Sequence, residues 1–220
     1  MSDNLRRYRA LCHALTHAYP TPPTGHFARH VQTLAALISG IVGGKSTQLP
    51  HIATKVSEGS KPESRVKRFA RWLDNERLVE EMSFFPSAES LLTPRALETL
   101  VLVLEGSVVG RGGAALMIHV RSTGRALPLA WRVRQGPKGP VPEDLHIAGV
   151  ELMREVIPEG ATVVFRGDGE CDGTALQATL NEAGWSYACR TALRTVATWE
   201  GVTFRLDTLG TCSTPGPRIE

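Results

Sequence analysis

Apolar residues in the first part of the chain recur at the spacing of amphipathic helices. Val31, Leu34 and Ile38, for example, fall on one face of the first predicted helix, and Gly43-Gly44 predicts a turn after it. Three helices are predicted here: His30–Val42, Thr47–Val56 and a helix that starts at Pro62 and is capped by Ser60. The pattern therefore predicts a helical N-terminal region over residues 1–85.

The third predicted helix has a basic face beside its apolar face. Its apolar face includes Val66, Phe69 and Leu73. Four cations fall on or beside the opposite face: Arg65, Lys67, Arg68 and Arg71. Three short helices that end in a basic one resemble a helix-turn-helix unit, whose last helix lies in the major groove of DNA. The four cations are therefore candidate DNA contacts, and the alternative is the solvated face of a small helical bundle.

After about residue 90 the apolar period shortens towards two, which indicates β-strands. Five strands are predicted: Leu100–Leu104, Ala114–Val120, Ala126–Val133, Thr162–Phe165 and Trp185–Arg190. Two helices are predicted between them, from Pro142 to about Val156 and over Thr174–Ala183. A hairpin of Val196–Trp199 and Val202–Leu206 follows. The order β-β-β-α-β-α-β predicts an α/β fold with an incomplete RNase H-like mixed sheet over residues 95–206, which ends with the hairpin as the start of a β insertion. An irregular tail follows at 207–220.

Composition and charge place the chain among folded proteins and divide it in two. The chain has 220 residues, 42% of them apolar, and a formal net charge of +3. Residues 1–85 carry a net charge of +5 and the remainder −2, which suggests that the N-terminal part meets a polyanion. The sequence contains no apolar run of transmembrane length and no signal-peptide pattern, which predicts that the protein has no membrane partner. Its four cysteines are scattered, as in reduced cytoplasmic proteins, so a cytoplasmic location is predicted.

Two glycine-rich stretches invite comparison with nucleotide-binding loops. Gly43–Thr47 resembles the end of a P-loop, but Ser39 stands where that motif needs its first glycine. Gly106–Gly113 does not match G-x-G-x-x-G and leads from one predicted strand into another, which predicts a tight hairpin. Neither stretch predicts a nucleotide site.

Two carboxylates at predicted strand ends are candidate metal ligands. Glu105 ends the first predicted strand and Asp168 follows the fourth. Because those strands are neighbours in the predicted order, we expect both carboxylates at one edge of the sheet. Oxygen ligands of this kind hold Mg²⁺, which can activate a phosphodiester for in-line displacement. The alternative is that both are ordinary turn acids, since Asp-Gly is a common turn dipeptide.

Four blocks of the sequence resemble DDE transposases of bacterial insertion sequences, in the group with a β-strand insertion in the catalytic domain. The blocks are Lys61–Phe69, Leu102–Ser107, Arg125–Trp131 and Gly167–Gly173, the last reading Gly-Asp-Gly-Glu-Cys-Asp-Gly. The resemblance covers roughly residues 30–206. It implies an RNase H-like fold and a bacterial, nucleoid-associated protein. It also implies binding to transposon-end DNA and association with itself or with a full-length transposase. The chemistry it implies is Mg²⁺-dependent strand cleavage and transfer through three acids.

The sequence departs from that family at two of the three acids. Glu105 stands where the family has Asp, and an extra methylene displaces the carboxylate. Glu182, Glu200 and Glu220 do not match the position of the family's third acid. We therefore expect an N-terminal portion or truncated form of such a transposase, which binds DNA and is inactive alone. The alternatives are a free-standing DNA-binding protein and a metal-dependent nuclease with a different third acid.

Overall fold

The structure is a computed structural model that describes residues 2–56, 59–110, 112–136 and 141–209. The chain divides into two compact units, residues 1–94 and 95–220. Within the described ranges, the first unit is helical and the second contains a mixed sheet with helices. The predicted sequence of helices followed by a mixed α/β sheet is therefore confirmed. Among the described residues, no helix combines the length and apolar character needed to cross a membrane.

The first unit consists of consecutive helices. Their bounds are α1 Asp3–His17, α2 Gly25–Gly44, α3 Leu49–Lys55, α4 Pro62–Leu73, α5 Glu80–Ser83 and α6 Phe85–Leu92, followed by a short 3-10 turn at Thr93–Arg95. A buried cluster joins α2, α3 and α4: Ala36, Leu37, Ile52, Ala53, Val56 and Phe69. Helix α2 approaches α3 closely at Gly40, where an added Cβ would lie 2.5 Å from Cγ2 of Ile52. The core of this unit therefore depends on a residue without a side chain.

The second unit is built on a five-stranded sheet. Its strands are β1 Thr99–Val109, β2 Gly113–Ser122, β3 Arg125–Gln135, β4 Thr162–Gly167 and β5 Ser186–Cys189, in the order β3-β2-β1-β4-β5. Strand β1 is antiparallel to β2 and parallel to β4, and β4 is parallel to β5. A separate hairpin pairs β6 Val196–Trp199 with β7 Val202–Arg205 and leads into α9 Leu206–Leu209. The first and fourth strands are therefore neighbours, as the predicted order requires.

Two helices complete the sheet, α7 Glu143–Val156 and α8 Thr174–Glu182. Helix α7 packs on β2 and β3, with Gly149 directly against Ile118. The sheet face that includes Ile118 is apolar, because alternate residues of β1 on that face, Leu102 and Leu104, are buried. On the opposite face the residues of β1 are half-buried or exposed, and Glu105 lies there. The helix therefore covers the face away from the Glu105 side chain.

Several predicted boundaries are wrong. Helix α2 starts at Gly25 and includes Gly43-Gly44, because the left-handed turn falls at Lys45 (φ 48°). Lys61, rather than Ser60, is the N-cap residue of α4. Strand β1 continues past Glu105 to Val109 because β2 pairs with it along that whole length. Of the predicted tail, residues 210–220 lie outside the described residues, and 207–209 belong to α9, which begins at Leu206, the predicted last residue of the hairpin.

Candidate functional site

Helix α4 presents cations on its exposed side. Lys67 and Arg71 are exposed and Arg68 is half-buried, with its guanidinium carbon 5.1 Å from the centroid of the Phe69 ring. The helix forms this way because its apolar residues, among them the fully buried Phe69, recur once per turn and pack into the cluster with α2 and α3. Three of the four predicted DNA contacts are thus on one helix and at least partly accessible.

Arg65, the fourth predicted DNA contact, is placed differently. It is 9% exposed, and its guanidinium donates hydrogen bonds to the backbone carbonyls of Ala53, Val56 (2.7 Å) and Ser60 (2.9 Å from Nε). Two of those carbonyls belong to the C-terminal end of α3, where a cation is favourable because the helix dipole is negative there. The guanidinium therefore fastens α4 to α3, and its donors are already engaged.

A groove between α2 and α4 adds cations that the sequence did not indicate. Its lining includes His26, Arg29 and His30 from α2 and Arg68, Arg71 and Trp72 from α4, and we call it the α2–α4 groove. The Nε1 of Trp72 donates a hydrogen bond to the carbonyl of His30 at 3.1 Å, which holds the two helices together there. His26 and Arg29 were not predicted as site residues because the predicted helix began at His30. The basic pattern His26-x-x-Arg29-His30 was the signal in the sequence that could have indicated them.

In the second unit, β1 and β4 bring the two predicted metal ligands together along the backbone. The last aligned pair of these parallel strands is Leu104 with Gly167; Glu105 is the next residue of β1, and Asp168 is the first residue after β4. Asp168 also lines a small cleft together with Gly106 and Ser107 of β1. The two residues thus stand at the same distance past the last aligned pair, one within β1 and the other in the loop after β4.

Their carboxylates face different neighbours. The Glu105 side chain is 61% exposed, and its Oε1 lies 3.8 Å from Nδ1 of His119, too far for a hydrogen bond. The Oδ1 of Asp168 accepts hydrogen bonds from the backbone N–H of Glu170 at 3.1 Å and from the thiol of Cys171 at 3.8 Å. Asp168 is therefore held by its own loop, whereas Glu105 lies over the strand beside it.

The loop that carries Asp168 requires glycine at two places. A Cβ on Gly167 would lie 2.3 Å from Cβ of Cys171, and a Cβ on Gly173 would lie 2.0 Å from Oε1 of Glu143. That same Glu143 oxygen accepts a hydrogen bond from the backbone N–H of Leu176 at 2.8 Å, so a residue of α7 caps the N-terminal end of α8. The Gly-Asp-Gly-Glu-Cys-Asp-Gly block is thus explained in part by close packing.

Glu170 and His146 are further polar groups near Asp168. An oxygen of Glu170 accepts a hydrogen bond from the backbone N–H of Val141 at 3.2 Å, which places the segment before α7 at this loop. His146 on α7 is 1% exposed, and neither ring nitrogen has a hydrogen-bond partner in the part of the chain that the structure describes. Burial lowers the pKa of His146, although the carboxylates of Glu170 and Asp168 act in the opposite direction. The imidazole is therefore neutral at pH 7.

The cysteine beside Asp168 is a poor nucleophile and a poor metal ligand in this state. Burial raises the pKa of the Cys171 thiol to about 12, with further contributions from the charge of Asp168 and from Cys189. Burial also raises the pKa of Cys189. Because the thiolate is the reactive and ligating form, both cysteines serve packing around Gly167.

Asp168 and Glu105 are oxygen donors of the kind that Mg²⁺ accepts together with water and substrate oxygens. Of these two, Asp168 lines the cleft, together with Glu170, whereas Glu105 lies exposed beside His119. Within the described ranges, no group of three or more His, Cys, Asp or Glu side chains is arranged to hold a metal ion. In the described part of the chain, the predicted pair Glu105 and Asp168 is therefore not accompanied by a third ligand.

Comparison with protein-family models and with curated proteins finds no match to this chain.

Proposed function

We propose that this chain is a DNA-binding protein of the DDE-transposase type, whose first unit contacts DNA and whose second unit has an RNase H-like sheet. The observation that carries the proposal is the basic side of α4, where Lys67 and Arg71 are exposed and Arg68 is half-buried, on a helix whose other side is anchored in the core. Lysine and arginine on a rigid helix neutralise phosphates and release counterions, which is the main source of affinity for DNA. Arg65 has no part in this contact because its donors are occupied within the unit.

Two features of the second unit support the transposase assignment. The strand order β3-β2-β1-β4-β5, with β1 antiparallel to β2 and parallel to β4, is the order expected of an RNase H-like sheet. The sequence blocks that resemble transposases lie on β1, on β3 and in the loop after β4. Such sheets carry their acids on β1 and at the end of β4, where Glu105 and Asp168 lie.

The DNA-binding proposal is tested with the full chain and a fluorescently labelled duplex oligonucleotide. We expect the double variant Lys67→Ala/Arg71→Ala to bind DNA at least tenfold more weakly than the parent at about 0.1 M salt, because it loses two phosphate contacts. Arg6→Ala is the matched control, since Arg6 is an exposed arginine of α1 that pairs with Asp3 at 3.5 Å. Failure of the parent to bind DNA, or equal loss in the control, refutes the proposal.

A second candidate, a metal-dependent nuclease, is favoured by the position of Asp168 in a cleft beside Gly106 and Ser107. A bound Mg²⁺ would polarise a phosphodiester there, and Asp168 would be its principal ligand. Because no group of three possible ligands is found among the described residues, we expect little or no nicking of supercoiled plasmid DNA in the presence of Mg²⁺. The control variant is Asp144→Asn, at an exposed acid of α7. If the parent nicks DNA, and Asp168→Asn abolishes that nicking while Asp144→Asn retains it, the nuclease is established and the incomplete site is refuted.

A further inference from the structure

The α2–α4 groove adjoins a second cavity along the N-terminal half of α2. The two cavities share His26 and His30, and the second is also lined by Phe27 and Arg77. Their volumes of about 350 and 490 Å³ fall in the range of small-ligand sites, which is far more than isolated waters need. The two cavities are therefore adjacent, and from here on we call them together the α2–α4 groove.

The groove is lined by one sign of charge. Four guanidinium groups and two imidazoles border the two cavities, and none of the described lining residues is an acid. The cations are Arg29, Arg68, Arg71 and Arg77, and the imidazoles belong to His26 and His30. The groove also lies at the N-terminal end of α2, whose dipole is positive there. Concave surfaces lined by one charge concentrate ions of the opposite charge, so the groove favours a polyanion.

The walls of the groove are fixed before any ligand arrives. The hydrogen bond from Trp72 to the carbonyl of His30 joins the two helices on one side. At the other side, the hydroxyl of Tyr19 donates to the carbonyl of Met82 at 2.6 Å, and the Tyr19 ring meets the Phe27 ring edge-on at 5.2 Å between centroids. These contacts hold the helices that carry the cations, so the cost of ordering the backbone on binding is small.

We propose that this groove binds the sugar–phosphate backbone of DNA through Arg29 and Arg77 in addition to the cations of α4. This inference rests on the proposed function and assigns to it residues outside α4. Guanidinium groups are suited to the contact because each can donate two parallel hydrogen bonds to one phosphate. The contact is with the backbone, so it positions the duplex without reading its sequence.

The size of the expected effect follows from counterion release. Each phosphate contact contributes about 0.9 to the slope of log K against log salt for duplex DNA. Loss of two contacts, one from Arg29 and one from Arg77, therefore flattens the slope by about 1.8. At about 0.1 M salt the same loss weakens binding roughly 60-fold, and the loss is equal for unrelated DNA sequences.

The experiment measures the affinity of the full chain for labelled duplexes of two unrelated sequences between about 50 and 200 mM salt. Arg29→Ala/Arg77→Ala is compared with the parent and with Arg6→Ala. Arg29 and Arg77 are exposed, so the variant is expected to fold, and its circular dichroism checks this. A flatter slope with equal losses on both duplexes supports the groove.

The outcomes separate this inference from the proposed function. If the parent binds DNA and Lys67→Ala/Arg71→Ala weakens it, but Arg29→Ala/Arg77→Ala keeps the parent's slope, the groove assignment is wrong and the DNA-binding proposal stands. If the parent binds no DNA, both fail. Inorganic phosphate provides a second readout: at constant ionic strength it should compete with DNA for the parent more effectively than for the variant. Equal competition in both proteins also contradicts the groove.

Discussion

Replacement of Arg65 by Met distinguishes a structural role from a DNA contact. The substitution removes the guanidinium and keeps an apolar stem of similar length. In the folded unit, that guanidinium supplies hydrogen bonds to the carbonyls of Ala53, Val56 and Ser60, which join the end of α3 to the start of α4. The variant therefore leaves three carbonyl groups without their donor in a largely buried place.

The cost follows from those hydrogen bonds. A hydrogen bond from a charged donor contributes about 1.5–3 kcal/mol net. The three losses do not add in full, because they share one side chain and water reaches part of the site once that side chain is shortened. We expect the free energy of unfolding of the first unit to fall by about 3 kcal/mol, a large part of the 5–15 kcal/mol typical of a domain.

The assay is urea unfolding of the full chain followed by hydrogen exchange and mass spectrometry, which reports on α3 and α4 separately from the sheet. Arg71→Met is the matched control, since Arg71 is exposed on the same helix and its Nε makes only a 3.3 Å contact with the carbonyl of Lys67. We expect the control to change stability by no more than about 0.5 kcal/mol. If Arg65→Met is as stable as the control yet loses DNA binding as strongly, Arg65 is a DNA contact and our interpretation is wrong.

Two other predictions test the packing of each unit. Gly40→Ala places a Cβ 2.5 Å from Cγ2 of Ile52 and should destabilise the first unit by about 1–3 kcal/mol in urea unfolding. The control Gly44→Ala, whose added Cβ has its nearest atom at 3.4 Å, should be nearly neutral. Equal effects of the two substitutions would refute the close approach of α2 to α3. In the second unit, the pKa of His146 is lowered in the folded chain, so below about pH 6.5 the unfolded chain takes up a proton that the folded chain does not. The free energy of unfolding is therefore retained above that pH and falls below it. Between pH 7 and 5.5 this loss is at most about 1.2 kcal/mol, and His146→Gln should remove it; an unchanged pH profile in that variant would show that His146 is not its source.

The sequence alone determined the kinds of element and their order. Periodicity is a local property, so the apolar spacing was enough to predict α4 and the succession of three strands, helix, strand, helix and strand in the second unit. The position of Asp168 directly after a strand could also be predicted from the sequence, because a short apolar run ends at Phe165 and a Gly-Asp-Gly turn follows. The basic side of α4 needed only the spacing of its charges.

Only the tertiary structure decided which charged residues are available. Arg65 and Arg71 look alike in the sequence, and they differ because the carbonyls at the end of α3 lie within reach of one and not the other. Arg29 joins Arg71 in one groove because α2 and α4 pack together, a contact between segments far apart in the chain. The position of Glu105 within β1, rather than at its end, depends likewise on pairing with β2. Local spacing carries no information about such partners, because they are supplied by segments distant in sequence.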